Sequence, residues 1–529
     1  MNYKKNKMLY IISLIVVSFI TTSCFDDLNV SPINPKVSQT FDQDAVFAKT
    51  YASFALTGQQ GAAGNNDIDI TDEGRFSLTR CLWNCSELPT DEAVCSWGDV
   101  EVVELNACNW TASNLAAAGL YSRLYFIVTI SNHFLQQTAG MTDEKTVKQR
   151  AEVRFLRAVG YYYLMDMFGN VPFTEVVSST LPQQIKRADL FDWIEKELKE
   201  CESDMYAPRS APYYRVDKVA NWLLLSRMYL NAEVYTGKAR WDDAITYSKK
   251  VMDSGYALNP SYKQLFMGDN AGTLDGSTNT APQEIIFPIA ADGVKTKSWG
   301  ASLFLIASTH TTGMQAWGST QGWSGNRAKF TLVKKFFPSG TVPVDSNLTV
   351  QAQDDRAMLH SVDRTAAVTK VTDFTKGISV TKYTNARWDK KATHDLEFPD
   401  MDIPFMRTAE AYLTYAEANL RSSSGDASKA LSAINALRTR SHATAYGSIA
   451  KDKAGLDLVL DEWAREFYFE GRRRTDLIRY GYFGGSSEYN WDWKGGVASG
   501  ATFSEKYNLL PIPPGDLNAN ANLVQNSGY

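Results

Sequence analysis

Indole rings set among small polar residues are the chain's most suggestive chemical groups. Trp97, Trp299, Trp317 and Trp323, with Trp83 and Trp110 also available, fall in stretches where Gly, Ser, Thr, Asn and Asp recur. Pyranose rings present axial C–H patches that pack on aromatic faces, while their hydroxyls need a few oriented polar partners. By composition alone each tryptophan reads first as a core residue. Catalytic chemistry has weaker footing. Asp72-Glu73 and Asp91-Glu92 are adjacent carboxylate pairs, but neighbouring residues point apart, whereas a glycosidase needs two carboxylates flanking one bond at about 5 to 10 Å. A pair distant in sequence stays open. The histidines (133, 310, 360, 394, 442) form no HExxH pair and no CxxC is present, so zinc has no motif. Asp67, Asp69, Asp72 and Glu73 superficially resemble a calcium loop, and Asp269, Asn270 and Asp275 form a second candidate. The first does not keep the register of an EF-hand, and both also read as solvated loop acids.

The N-terminus sets the compartment. Lys4, Lys5 and Lys7 precede an apolar run from Met8 to Ile20 that ends in Thr21, Thr22, Ser23 and Cys24. The run is too short to span a bilayer and reads as a signal peptide, residues 1–23, removed on export. A cysteine directly after such a run resembles a bacterial lipobox, in which Cys24 carries acyl chains. At about 0.8 kcal/mol per buried CH₂, three chains hold far better than one, so the expectation is a lipid anchor without a transmembrane helix. Asp26 and Asp27 follow at once and resemble a surface-export signal. The five remaining cysteines, Cys81, Cys85, Cys95, Cys108 and Cys201, are odd in number, so at least one thiol stays free within an exported chain. Those from 81 to 108 can hold one or two disulfides, with connectivity open. Charge is near balance, 54 basic against 59 acidic residues, and the only dense basic run is Arg472 to Arg474. That leaves no electrostatic footprint for nucleic acid.

Periodicity points to helices. Phe155, Val159, Tyr162; Trp222, Ser226, Tyr229; and Phe405, Ala409, Tyr412 each repeat an aromatic, a small or branched residue and a tyrosine over two helical turns. The middle triplet is close to the first helix of a tetratricopeptide repeat. Ala244, Ser248, Val251 and Ala430, Ile434, Leu437 keep the spacing of a second repeat helix. The expected fold is mainly α, one domain over residues 24–529. It has a tetratricopeptide-like helical solenoid core at about 140–255 and 400–480. Loop-rich, short-strand insertions at about 58–109 and 260–400 carry the binding surface.

The run from Glu462 to Gly481, including Trp463-Ala464-Arg465-Glu466-Phe467-Tyr468-Phe469-Glu470-Gly471-Arg472-Arg473-Arg474, resembles the C-terminal signature of the RagB/SusD family. Arg154-Phe155-Leu156-Arg157-Ala158 and Phe168-Gly169-Asn170-Val171-Pro172 resemble its N-terminal block, and the similarity runs on to Pro511-Ile512-Pro513-Pro514. Read from the residues alone, the Arg/Glu alternation is a salt-bridged structural face, and it keeps that reading. The resemblance, nearest the starch-binding members, implies a non-catalytic outer-membrane lipoprotein at the cell surface. It would bind starch-type α-glucan and pass it to a SusC-like TonB-dependent transporter.

Alignment with that family through Asn84 to Glu92 implies one position of a sugar-stacking arc at Trp97. Alignment through Gly293 to Thr296 and through Gly322 to Ser324 implies the others at Trp299 and Trp323, with Arg80 and Asp67 near polar contacts. One departure stands out: the asparagine that donates to sugar in the starch-binding members falls near Val100 here. Asp99 can replace it as an acceptor but not, when ionised, as a donor. The alternatives are a glycoside hydrolase acting on α-glucan, a binder of another glycan, and a purely structural repeat protein.

Overall fold

The computed structural model describes residues 40–529 apart from 63–65, 71 and 73. Cys24, Asp26, Asp27, Glu73 and the signal segment lie outside the described residues. The first half carries α1 (Gln43–Ala55), α2 (Leu78–Glu87), α3 (Val100–Ala107), α4 (Leu115–Gln137), α5 (Glu144–Phe168), α6 (Arg187–Cys201), α7 (Lys218–Leu230) and α8 (Trp241–Met252). A turn-rich stretch with the short α9 (Ser302–Ala307) follows, and then α10 (Ala409–Arg421), α11 (Ala427–Arg440), α12 (Lys453–Phe467) and α13 (Arg473–Arg479). Side-chain caps fix where several begin: Ser77, Asn114, Asp143, Asp217, Asp426 and Asp452 each accept a backbone N–H of the first turn. Such a cap stabilises a helix by about 1 kcal/mol.

The helices stack in sequence-adjacent pairs, α4 on α5, α5 on α6, α7 on α8 and α10 on α11, and α8 packs on α10 across the intervening turn-rich stretch, an arrangement consistent with a tetratricopeptide-like stack. The expected small-residue face is present: Ser226 and Tyr229 on α7 are fully buried, as are Ala244, Ser248 and Val251 on α8 and Ala430, Ile434 and Leu437 on α11. Gly160 lets α4 and α5 approach, since a Cβ there would stand 3.2 Å from Val128. Three boundaries differ from the periodicity reading. α4 extends the helical block upstream of residue 140, and the stretch 58–109 holds two helices, α2 and α3. Phe405 lies on a strand, so the third aromatic triplet straddles a strand–helix junction.

The strands are short and antiparallel. They are β1 (Ala93–Cys95), β2 (Val171–Phe173), β3 (Gln183–Ile185), β4 (Ile285–Ile289), β5 (Asn326–Ala328), β6 (Leu359–His360), β7 (Ser379–Val380) and β8 (Ile403–Arg407), paired β1–β5, β2–β3, β4–β8 and β6–β7. Charged residues of the signature segment lock this layer to the helices. Arg407 of β8 reaches Glu466 of α12 at 2.6 Å and Glu284 at 3.0 Å, Arg440 reaches Glu284 at 3.0 Å, and Arg356 reaches Glu462 at 3.0 Å. All of these side chains are buried. Removing one partner from such a group costs about 3 to 5 kcal/mol, because the other charge stays in the interior. Arg473 and Arg474 are buried too, so the one dense basic run is mostly interior.

All five described cysteines are free, buried thiols, and no disulfide forms among them. Burial pushes Cys81, Cys95 and Cys201 up to about 12 and Cys108 to about 11. These are small apolar packing residues rather than reactive thiols.

Candidate functional site

Helix α9 is the wedge around which the three arc tryptophans collect. Leu303 and Ala307 on one side form a buried cluster with Ala62 and Phe398, against which Trp299 and Trp323 pack. The two indoles stand 6.5 Å apart between centroids, 33° from parallel, and Phe398 meets Trp299 edge-on at 5.0 Å. On its other side α9 presents Phe304, which packs at 6.3 Å against Trp97. The Arg80 guanidinium covers both rings, 5.0 Å from Trp97 and 5.2 Å from Phe304. Burial lowers the pKa of this guanidinium from its ordinary value. All three indoles are half-buried, anchored at one edge and open at another.

Backbone contacts hold the three in register. Trp97 follows β1 and Trp323 precedes β5, so the β1–β5 pairing, with Cys95 opposite Asn326, brings their segments together. Ser96 donates its N–H to Gly325 at 3.0 Å, and Trp323 donates its N–H to Ala307 at the end of α9 at 2.7 Å. Gly325 has φ +107, and a Cβ there would lie 2.3 Å from Trp97 Nε1, so the indole rests directly on glycine backbone. On the third side, Ser77 Oγ donates to the Gly300 carbonyl at 2.7 Å. The loop carrying Trp299 is thereby docked at the N-terminus of α2, one turn from Arg80.

The polar residues divide. Arg80 joins the arc. Asp99 is close in sequence to Trp97, but its carboxylate pairs with Arg75 at 3.0 Å, leaving it as an acceptor already in use. Asp67 forms an ion pair with Lys49 at 2.7 Å, with little of its side chain exposed. Trp83 and Trp110 are core residues, 2% and 0% exposed. Phe304, Phe398 and Gln321 support the arc and were missed in sequence; Phe304 and Gln321 are ordinary residues of their segments, and Phe398 meets Trp299 from a loop distant in sequence.

The calcium candidates are also redistributed. The Asp269 carboxylate accepts from Ser277 Oγ at 2.6 Å and from the Trp388 N–H at 2.8 Å, and the Asn270 amide bonds to Leu265 and Asp402 backbone. Both side chains tie loops together. Asp275 Oδ2 is buried without a hydrogen-bond partner, as is Asp402 Oδ2. Burial, then neighbouring carboxylates, raise the pKa of Asp275, and burial does the same for Asp400 and Asp402. Among the described residues no three His, Cys, Asp or Glu side chains are grouped closely enough to hold an ion as they stand. Of the acidic pairs, Asp91 grips Arg473 at 2.7 and 2.8 Å and accepts from Tyr489 Oη at 2.7 Å. That carboxylate is a structural group.

Comparison with known proteins decides the family. A family model described as "SusD family" matches residues 309–529, and another, "Starch-binding associating with outer membrane", matches residues 82–230. Over its whole length the chain is 42% identical to the starch-binding protein SusD of Bacteroides thetaiotaomicron, all of which the alignment covers. The chain belongs to the SusD family. Solved structures of more distant SusD-like proteins share the fold. A SusD homologue from Bacteroides thetaiotaomicron superposes with TM-score 0.70 at 19% identity, over 92% of this chain and 96% of that one. Surface glycan-binding protein A of the same organism, solved with laminarihexaose, gives TM-score 0.66 at 18% identity, over 92% and 98%. Among the described residues no helix of this SusD-family chain is long and apolar enough to cross a membrane.

Proposed function

We propose that this SusD-family chain captures starch-type α-glucan oligosaccharides at the cell surface on the platform formed by Trp97, Trp299 and Trp323. The observation that carries the reading is the gathering of three half-buried indoles around α9, with Arg80 locked against one of them. Tilted facets can follow a curved glucan chain, whereas a flat ribbon calls for coplanar rings. Three stacking contacts at about 0.5 to 1.5 kcal/mol each and three or four hydrogen bonds at about 1 kcal/mol each give roughly 5 to 8 kcal/mol. That is micromolar to millimolar binding, weak enough for onward transfer and reinforced when a polymer spans anchored copies. The name of its SusD relative supports starch as ligand, and the family supports a SusC-like TonB-dependent outer-membrane transporter as partner and Cys24 as the lipid anchor. The role is binding without catalysis, in keeping with the burial of the Asp91 carboxylate in an ion pair. Calorimetry with maltoheptaose tests the reading: heat of binding without release of shorter sugars is expected, and hydrolysis products would favour the glycosidase.

A second proposal concerns calcium. Asp400 and Asp402 are buried and Asp275 is half-buried; Asp275 Oδ2 and Asp402 Oδ2 are buried without a hydrogen-bond partner, and Asp400 Oδ1 faces His394 Nδ1 at 3.2 Å. A Ca²⁺ ion drawing these oxygens together would offset their negative charge and brace the loops that carry them.

A further inference from the structure

Trp317 is a loop tryptophan that the arc does not absorb. It lies on the wall of a cavity of about 300 Å³ that also takes in His310, Met358, Asn347, Asp355 and Lys263. None of Trp97, Trp299 and Trp323 lines it. The Trp317 ring stacks on the His310 imidazole, 5.0 Å between centroids and 29° from parallel. His310 Nδ1 faces the Ile306 carbonyl at 2.8 Å, which assigns the proton to Nδ1 and leaves Nε2 as an acceptor. Burial pulls the pKa of this histidine down to about 4, so the ring backing the indole stays neutral.

The cavity's chemistry is that of a neutral polyol site. An indole and a methionine supply apolar surface, Asn347 supplies amide hydrogen bonding, and Asp355 and Lys263 balance in charge, so the wall offers no net attraction for a phosphate or carboxylate. Its volume falls within the range of small-ligand pockets. Gln321 ties it to the arc: the backbone carbonyl accepts from Trp317 Nε1 at 2.9 Å, and the side-chain Oε1 accepts from Trp323 Nε1 at 3.0 Å. One residue therefore sets the orientation of an indole in the cavity wall and of an indole in the arc.

We propose that this cavity is a second glycan subsite, with Trp317 as its platform, taking one or two hexose units of a neutral oligosaccharide. The inference rests on the reading of the arc as a glucan platform and adds a separate subsite to it. The test uses Trp317→Ala and, independently, Asn347→Trp, which fills the mouth from an exposed residue. Both are titrated calorimetrically with maltoheptaose beside melting curves, together with a variant lacking Trp97, Trp299 and Trp323. Affinity is expected to fall about three- to tenfold in each cavity variant with the melting temperature of Asn347→Trp unchanged. The arc variant should keep weak maltotriose binding that disappears when Trp317→Ala is added. Should Trp317→Ala fail to fold, Asn347→Trp alone decides. Parent affinity in Asn347→Trp, or an arc variant with no residual binding, overturns the subsite while leaving the arc reading intact. Undiminished maltoheptaose binding by the arc variant would instead sink the arc reading.

Discussion

Trp97 Nε1 sits so close to Gly325 that any Cβ at that position would lie 2.3 Å away. The indole is thus packed on bare backbone at a residue whose φ of +107 only glycine adopts readily. Gly325→Ala should displace the Trp97 ring and strain the turn at a cost of about 1 to 3 kcal/mol. The expected outcome is a modest drop in melting temperature with at least a tenfold loss of maltoheptaose affinity. Parent affinity in a folded Gly325→Ala protein would show that Trp97 is not part of the platform.

Acid stability follows from the buried ion pairs. Against the upward push of burial, Arg479 and Arg421 hold Glu417 at about 2, and Arg356, Arg465 and Arg438 hold Glu462 at about 2, both below the ordinary 4.5. Depressed folded values mean a contribution present above pH 4.5 and lost as pH falls toward 2. Glu87 has the opposite sign: burial raises it to about 7, so its contribution is present below pH 4.5 and lost as pH rises toward 7. Urea unfolding across pH should show stability falling steeply below 4.5, and Glu417→Gln should flatten that limb while costing about 3 kcal/mol or more near neutrality. A stability that is level between pH 4.5 and 2.5 would contradict these assignments.

Calcium is predicted to raise the melting temperature, and a chelator to lower it, through Asp275, Asp400 and Asp402. Asp402→Asn should abolish the calcium response. Identical melting curves with excess Ca²⁺ and with chelator would remove the ion from the account.

Cys24→Ala is predicted to leave a folded protein that binds maltoheptaose as the parent does but no longer sediments with the outer membrane. Retention in the membrane after a salt wash would show that the anchor is elsewhere.

Much of this was legible in the chain because it is local. The two-turn spacing of Trp222, Ser226 and Tyr229 marks a helix face whatever surrounds it, and Arg/Glu alternation marks a paired surface. What failed to show is contact between distant residues. Trp83 is interior because Phe304 and Phe469 close over it, at 5.5 and 5.1 Å between ring centroids, and neither is near it in sequence. Asp67 pairs with Lys49 of α1, a contact that no local pattern encodes. Phe405 keeps helical spacing from Tyr412, yet the pairing of β8 with β4 draws it into a strand, a tertiary override of a local pattern.

The most direct measurement is calorimetric titration of maltoheptaose into the parent and into Trp97→Ala, Trp299→Ala and Trp323→Ala, each beside its melting curve. Loss of an indole face should cost about 1 kcal/mol or more of binding, roughly a fivefold or greater fall in affinity for each variant. Melting temperatures should stay near that of the parent, because the stacked helix pairs do not rest on these rings. Three variants that bind as tightly as the parent would contradict the platform, and three that melt early with proportionate loss of binding would show these tryptophans to be core.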